Sequence, residues 1–157
     1  MGDVAMTVPV VYSLAHQYPD LRISVLSRPF AKAFFSYMPK NVDFIAADLK
    51  NEYKGIKGLN QLYGRLKAKQ PTAIADFHDV LRSKYIRTRF TLSGYKTAHI
   101  DKHKNGKRKL CQKTHKVMEQ QPTSFQNYAE VLSKLGYPVN LSFSSLFANG
   151  GNQLSQL

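Results

Sequence analysis

The apolar positions of this chain alternate between short continuous runs and longer stretches with helical spacing. Four short runs, rich in β-branched or small apolar side chains, predict strands at 21–26, 42–47, 72–77 and 96–100. Apolar residues at helical spacing predict helices at 30–38, 58–69, 82–92 and 124–135. Strands that alternate with helices through short connections predict βαβ units. The fold class that follows is α/β, a Rossmann-like doubly wound parallel sheet.

Helix-breaking residues support these boundaries. Pro29 and Pro39 bracket the helix predicted at 30–38, and Gly94 is a natural stop for the helix at 82–92. Ser124 is the predicted cap of the last helix, and Gly136 stands just past its end. The turn residues and the apolar periodicity therefore predict the same elements.

The predicted sheet is short of one strand at its front. The chain opens on Gly2 and Asp3 and enters an amphipathic helical segment, although a helix that covers a parallel sheet normally follows a strand. A doubly wound sheet places its first strand at the centre. We therefore expect either that Met1 is an internal methionine of a longer chain or that the sheet lacks its first strand.

Composition is that of a globular domain: the 157 residues are 43% hydrophobic and 21% charged. The lone cysteine, Cys111, excludes an internal disulfide and fits a reducing compartment, so we expect a cytoplasmic protein. No apolar run approaches the ~18–20 residues that span a bilayer. Asp3 stands where a signal peptide would be basic, so the first residues are predicted to belong to the fold.

The net charge of +13 is concentrated in one window, residues 82–116. This window carries +11 because Asp101 alone opposes twelve basic residues: Arg82, Lys84, Arg87, Arg89, Lys96, Lys102, Lys104, Lys107, Arg108, Lys109, Lys113 and Lys116. Such a concentration attracts nucleic acid, an anionic membrane surface or a phosphorylated substrate. The alternative is a solvated loop whose charges serve solubility.

An ordered series of short motifs resembles a known family. The series begins with Gly2-Asp3-Val4, Thr7-x-Pro9 and His16-x-Tyr18-Pro19. The segment from Asp76 to Ser83 is similar to the pattern D-x-(Q/H)-x-x-x-(R/K)-S, and the last predicted helix ends in Leu135-Gly136-Tyr137-Pro138. Together these motifs resemble the amino-terminal domain of glycosyltransferase family 9, the lipopolysaccharide heptosyltransferases. The sequence departs from the family at Asn127, where members often carry histidine or arginine nearby.

The resemblance implies a GT-B architecture, in which two Rossmann-like domains face each other across a cleft. Residues 1–139 would form the acceptor-binding domain, truncated at its amino terminus, and residues 140–157 a linker or the start of a carboxy-terminal nucleotide-sugar domain. The implied activity is inverting, metal-independent transfer of a heptose-like sugar from a nucleotide-sugar to a lipopolysaccharide-core-type acceptor. This chain alone is expected to be inactive.

The resemblance makes Asp3 the candidate catalytic residue. Inverting transfer needs a base on the acceptor hydroxyl, and a carboxylate at the start of a helix stays ionised there. Gly2 would allow a sharp turn and close approach of the acceptor. The alternative is that Asp3 only caps the first helix by accepting hydrogen bonds from its amides.

Three further acceptor-binding candidates, His78, Arg82 and Ser83, follow the third predicted strand. His78 could hydrogen-bond the acceptor, or be an ordinary loop histidine beside Asp79, which would then cap the next helix. Arg82 and Ser83 could hold a phosphate or carboxylate near the start of that helix. The alternative for Arg82 is an exposed helical arginine.

The sequence shows no metal motif and no glycine-rich phosphate loop, so neither a metal nor a bound cofactor is expected on this domain. The expected partners are an anionic glycolipid acceptor, an ADP-heptose-like donor held on the other domain, and the inner face of the cytoplasmic membrane. Specific nucleic-acid binding is not expected. A basic nucleic-acid-binding α/β domain is the main rival interpretation, because Tyr85, Phe90 and Tyr95 lie among the basic residues. A receiver-like regulatory domain would need an acidic cluster that the sequence does not supply.

Overall fold

A computed structural model describes residues 2–49, 51–101 and 123–141. In chain order the elements are α1 (Gly2–Ala5), α2 (Val8–Gln17), β1 (Ile23–Ser27), a 3₁₀ helix (Pro29–Phe35), β2 (Val42–Ala46), α3 (Gly55–Lys67), β3 (Ala73–Asp76), α4 (Leu81–Leu92), β4 (Lys96–His99) and α5 (Ser124–Leu135). The protein is therefore mixed α/β, as its hydrophobic pattern predicts.

The four strands form two separate parallel pairs. β1 pairs with β2, with Ile23 opposite Val42, and β3 pairs with β4, with Ala73 opposite Lys96. The parallel pairing confirms the coarse prediction. The prediction of one continuous sheet is wrong for the described residues, because no described strand links β1 to β3.

All four strands run in the same direction, and α2 and α5 run opposite to them. Four hydrogen bonds between element ends fix this arrangement: Asn41 Nδ2 to Ala15 O (3.1 Å), Tyr18 OH to Pro138 O (2.9 Å), Lys96 Nζ to Leu135 O (2.8 Å) and Tyr128 OH to Asp3 O (3.5 Å). The last turns of α2 and α5 thus lie where strands begin. The carboxyl ends of the strands share one edge with the first turns of the helices.

Apolar side chains are buried on both faces of the strands. On one face α2, α5 and β4 contribute Val10, Leu14, Ala98, Ile100, Tyr128, Val131, Leu132 and Leu135, which we call the α2–α5 cluster. On the other face, the α3–α4 cluster contains Ala47, Tyr53, Leu59, Leu62, Tyr63, Ile86 and Phe90. A third, smaller cluster, Val8, Val11 and Phe35, joins α2 to the 3₁₀ helix. Helices α4 and α5 therefore both pack against the β3–β4 pair.

Two local predictions need correction. The segment predicted as an α-helix at 30–38 is a 3₁₀ helix, in which only Ala31 and Phe35 are buried. Two buried anchors between flanking prolines give little packing to stabilise longer α-helical turns. The cap of α5 is Thr123 rather than Ser124: its hydroxyl accepts from the Gln126 amide at 3.3 Å, and the Gln126 side chain accepts from the Thr123 amide at 2.8 Å.

The predicted helix stops are confirmed, since Gly94 and Gly136 adopt φ of +83° and +96°, values that favour glycine. Within the described residues, no helix is both long and apolar enough to cross a membrane. Cys111, the basic residues from Lys102 to Lys116 and the predicted linker after residue 141 lie outside the described residues.

Candidate functional site

The site predicted from the sequence gathers at the carboxyl edge of the strands. Tyr128 in α5 contacts both the loop after β3 and the first helix. The Tyr128 ring packs against Phe77, just after β3, with ring centroids 4.9 Å apart. Its hydroxyl donates a long hydrogen bond (3.5 Å) to the main-chain oxygen of Asp3. The first helix and the loop after β3 are therefore held at the same edge, where parallel α/β folds bind their ligands.

Asp3 lies within α1, and its side chain is exposed. The N-cap of α2 is Thr7, whose hydroxyl donates to Val4 O at 2.7 Å. Among the described residues, no hydrogen bond or ion pair engages the Asp3 carboxylate, so the capping alternative has no contact to support it. Gly2 adopts an ordinary helical conformation, and an added Cβ would meet nothing within 4 Å. The sharp turn expected at Gly2 is thus not present.

The environment of Tyr128 favours its neutral phenol. Burial raises the pKa of Tyr128 above its usual value of 10.0, and the negative charge of Asp3 raises it further. The Tyr128 phenol and the exposed residue Asp3 therefore lie at the same edge, joined through the main-chain oxygen of Asp3.

A network of charged side chains shapes the loop after β3. The buried Asp76 accepts hydrogen bonds through Oδ1 from the amides of His78 (3.0 Å) and Asp79 (2.9 Å). Its Oδ2 accepts from Arg87 in α4 at 3.0 Å. The same Arg87 nitrogen also donates to Asp79 at 3.0 Å. One carboxylate thereby fixes the loop backbone, and one guanidinium ties that loop to α4.

Asp79 adopts a φ of +42°, which is uncommon for a residue with a side chain. Burial alone would raise the pKa of Asp79, but hydrogen bonds from Arg87 and Lys84 outweigh it and lower the pKa below 3.8. Its carboxylate lies 3.4 Å from Lys84 Nζ. Asp79 therefore pairs with two cations and does not cap α4, whose N-cap is Val80.

The other predicted acceptor-binding residues lie at the same edge, but they differ in their exposure and in their hydrogen bonds. His78 and Arg82 are exposed, and no hydrogen bond or ion pair between described residues joins either of them to Asp3. The Ser83 hydroxyl both accepts from the Val80 amide and donates to the Val80 carbonyl, each at 3.0 Å. Ser83 thus serves the first turn of its own helix, and binding a phosphate would require it to leave those partners.

Sequence reasoning missed three residues of this edge: Asp76, Arg87 and Tyr128. Asp76 was noted only as the first residue of the motif. It ends a strand whereas Arg87 lies inside the following helix, so no single period connects the two residues. An aspartate that ends an otherwise apolar run was the available signal, since a buried carboxylate needs partners.

The other described regions of the chain offer no better site. A shallow pocket lined by Gln17, Tyr18, Pro19, Asp20, Leu21 and Tyr137 lies at the opposite edge, where α2 ends and β1 begins. Among residues 2–49, 51–101 and 123–141, no group of three or more His, Cys, Asp or Glu side chains is placed to hold a metal ion. Comparisons with protein-family models, with curated proteins and with solved structures find no match to this chain.

Proposed function

We propose that this chain is the acceptor-binding domain of an inverting glycosyltransferase that resembles the lipopolysaccharide heptosyltransferases. The single observation that carries the proposal is Asp3 at the carboxyl edge of parallel strands: its main-chain oxygen accepts from Tyr128, and its exposed carboxylate has no partner among the described residues. A carboxylate of this kind can act as a general base. The edge is also the one at which doubly wound sheets bind their ligands.

In the proposed reaction Asp3 removes the proton from an acceptor hydroxyl as that oxygen attacks the anomeric carbon of the sugar. The nucleotide leaves from the opposite face of the ring, so the configuration inverts. Tyr128, held neutral by burial and by Asp3, donates a hydrogen bond nearby. The Asp76–Arg87–Asp79 network fixes the loop that presents His78 to the acceptor.

The substrates belong to the same proposal. The acceptor is an anionic glycolipid of the lipopolysaccharide-core type, and exposed Arg82 is available to its phosphate or carboxylate groups. The donor is an ADP-heptose-like nucleotide-sugar, bound by a second domain that this sequence does not resemble. The reaction takes place at the inner face of the cytoplasmic membrane.

Nucleic-acid binding is the second candidate, because helices α3 and α4 contain seven basic residues and no acidic one. The aromatic residues that suggested a stacking surface have structural partners, however. Phe90 is fully buried, Tyr95 packs edge-on against it, and the Tyr85 hydroxyl donates to Asn60 at 2.8 Å. Base stacking would require these rings to be exposed.

Calorimetry on this chain tests the proposal. A phosphorylated core oligosaccharide should bind saturably, whereas ADP- and UDP-sugars should give no saturable heat at sub-millimolar concentration. Arg82→Gln should weaken glycan binding by about tenfold, as expected for one charge-assisted contact. Arg22→Gln, an exposed arginine at the opposite edge, should leave it unchanged. Micromolar binding of a nucleotide-sugar, or oligonucleotide binding without glycan binding, would overturn the proposal.

A further inference from the structure

Helices α3 and α4 carry positive charge that few of the described carboxylates balance. Of their seven basic side chains, Lys84 pairs with Asp79, and Arg87 pairs with Asp76 and Asp79. The other five form no ion pair with a described carboxylate: Lys57, Arg65, Lys67, Arg82 and Arg89. A surplus of this kind attracts anions, and the geometry around the unpaired cations decides where one would bind.

The guanidinium of Arg89 is held in place without being neutralised. Its Cζ atom lies 4.7 Å from the centroid of the Tyr63 ring. Its Nη1 donates to Oδ1 of Asn60 at 2.6 Å and, at 3.4 Å, to the Tyr85 hydroxyl. These partners are neutral, and within the described part of the chain Nε and Nη2 of Arg89 donate to no acceptor. Arg89 therefore keeps its charge and most of its five N–H donors for a ligand.

A second cation lies beside the same ring. Lys67 is exposed, and its Nζ is 5.9 Å from the Tyr63 ring centroid. Two like charges beside one buried ring repel each other, which costs free energy unless an anion lies near both. Gly64 lies between Asn60 and Lys67 on one face of α3, and an added Cβ there would meet nothing within 4 Å. The surface between these side chains is therefore open.

The Tyr63 hydroxyl adds a neutral donor to this surface. It shares a hydrogen bond of 2.7 Å with the hydroxyl of Ser93, which is exposed. Two hydroxyl groups carry two hydrogens, and the bond between them uses one, so one O–H remains to be donated. A guanidinium, an ammonium group and a hydroxyl donor therefore lie around one aromatic ring.

The rest of the sequence can supply little compensating charge. Residues 102–122 and 142–157 contain one acidic side chain, Glu119, and seven lysines and arginines. Glu119 is therefore the carboxylate of these residues that competes with a ligand for Arg89, and its substitution distinguishes the two cases.

We propose that Arg89, Lys67 and the Tyr63–Ser93 hydroxyl pair form a binding site for the phosphate of a phosphomonoester. Such a group carries nearly two negative charges at neutral pH and three strong acceptor oxygens, which match two cations and a hydroxyl donor. A planar guanidinium donates to two phosphate oxygens at once. Arg89 lies two helical turns beyond Arg82, so this site is separate from the proposed acceptor site. The proposal does not rest on the proposed enzymatic function.

Titration of the full chain with glycerol 3-phosphate, followed by NMR, tests the proposal. The Nε–H signal of Arg89 and the amide signals of Lys67 and Ser93 should shift saturably, with half-saturation below about 1 mM. Acetate at the same ionic strength should bind at least about tenfold more weakly, because it carries a single charge and two oxygens. No saturable shift of these signals at about 10 mM ester would overturn the proposal.

A matched set of variants separates this site from diffuse attraction. Arg89→Gln should weaken binding of glycerol 3-phosphate by at least about tenfold, and Arg89→Lys, which keeps the charge but loses the planar fork, by about threefold. Lys57→Gln is the control, because it removes an equal charge from α3 about 15 Å along the helix from Lys67. It should change binding by less than about twofold. Equal losses in Arg89→Gln and Lys57→Gln would contradict the site.

Two further variants keep the test decisive if Arg89→Gln fails to fold. Lys67→Gln changes an exposed side chain and should weaken ester binding by about threefold or more, so unchanged binding would contradict the site. Glu119→Gln should leave ester binding unchanged. A gain of about tenfold or more would make Glu119 the partner of Arg89, and the proposal would be wrong.

Vesicles that contain phosphatidic acid distinguish the source of the phosphate, because they offer the same group on a lipid. If the chain binds them and Lys67→Gln weakens that binding as much as it weakens ester binding, the ligand is a lipid headgroup. If the site binds glycerol 3-phosphate but not the vesicles, the ligand is a small soluble ester. Binding to neither would overturn the proposal.

Discussion

Arg87 compensates two carboxylates at once, and its removal tests how far the loop after β3 depends on it. Arg87→Met leaves Asp76 buried without its cation, so we expect a loss of about 2–4 kcal/mol in the free energy of unfolding. Arg82→Met, five residues earlier and exposed, should change the free energy of unfolding by less than about 0.5 kcal/mol. Urea unfolding of both variants measures this. If both variants lost equally little stability, water would replace the Arg87 guanidinium as the partner of Asp76.

The lowered pKa of Asp79 predicts a pH dependence. A carboxyl group with a depressed pKa in the folded state contributes stability above its unfolded value of 3.8, and this contribution is lost as the pH falls through the folded pKa. Asp79→Asn should therefore flatten the stability profile from about pH 5 to about pH 2. Asp43→Asn is the control. Hydrogen bonding to Lys69 lowers the pKa of Asp43 too, but the pair is exposed and contributes little. A profile unchanged in Asp79→Asn would contradict the assignment.

The proposed role of Asp3 as a base is tested in a protein that joins this chain to the proposed donor domain. Asp3→Asn keeps the size and polarity of the side chain but cannot accept a proton. We expect kcat to fall by about 10²–10⁴ with little change in stability. Asp20→Asn, an exposed aspartate at the opposite edge of the strands, should keep normal turnover. Near-normal kcat in Asp3→Asn would exclude Asp3 as the base.

At the scale of residues, the sequence indicated four candidate site residues, Asp3, His78, Arg82 and Ser83. It did not indicate which hydrogen-bond or ion-pair partners each of them has. The spacing of Ser83 from Val80 is that of a helix cap, and the structure uses it as one. Arg87 could not be selected among four arginines and lysines of the same helix. Its partner is set by the path of the chain between β3 and α4, which no local pattern encodes.

At the scale of elements, α3 contains two glycines, one packed closely against the main chain and one with open space around it. A Cβ added at Gly58 would lie 2.3 Å from the main-chain carbon of Tyr53, whereas one at Gly64 would meet nothing within 4 Å. Gly58→Ala should therefore destabilise the fold by about 1–3 kcal/mol or more, because backbone must move. Gly64→Ala should stabilise it by about 0.5–1 kcal/mol through helix propensity. Thermal unfolding of the two variants shows whether each substitution raises or lowers stability. An unchanged stability in Gly58→Ala would contradict the close packing of Gly58 against Tyr53.

Most elements were predictable because a local signal supports each one. The boundaries of β2 and α5 agree with their apolar runs within one residue. The start of α3 was placed at Gly58 but lies at Gly55, because its first turn carries only the exposed Ile56 as an apolar residue. In α4 Ile86 and Phe90 are buried, but Leu81 and Leu92 are 85% and 80% exposed, so hydrophobicity alone does not identify the buried positions.

At the scale of the molecule, basic and apolar residues share one surface. Leu81 and Leu92 lie on the same outward face of α4, beside Arg82 and Lys84, and α3 and α4 carry no acidic residue. Cations near an anionic bilayer contribute about 1 kcal/mol each. Binding to vesicles should therefore rise with anionic lipid and fall steeply with salt.

Co-sedimentation with vesicles, set against duplex and single-stranded oligonucleotides at about 0.15 M salt, is the measurement. Leu81→Ser combined with Leu92→Ser should weaken vesicle binding without affecting oligonucleotide binding, because only the bilayer accepts apolar side chains. Tight oligonucleotide binding with no vesicle binding would favour the nucleic-acid function.

The division into two strand pairs was beyond the reach of the sequence. Apolar runs indicate which residues form strands, but they do not indicate which strands pair with one another. The class and the direction of the strands could be predicted because short connections allow few topologies. The expectation that a first strand is lacking stays a prediction.

Among the described residues β1 and β3 each pair with a strand on one side only, and this has a colloidal consequence. Edges of this kind invite intermolecular β-pairing, and many proteins protect them with charge. Here a net charge of +13 makes any two copies repel, so concentrated solutions should stay clear at low ionic strength. Screening shortens that repulsion to about 8 Å at physiological salt. Long-term storage of this protein should therefore favour low-salt buffers at a pH well below its isoelectric point.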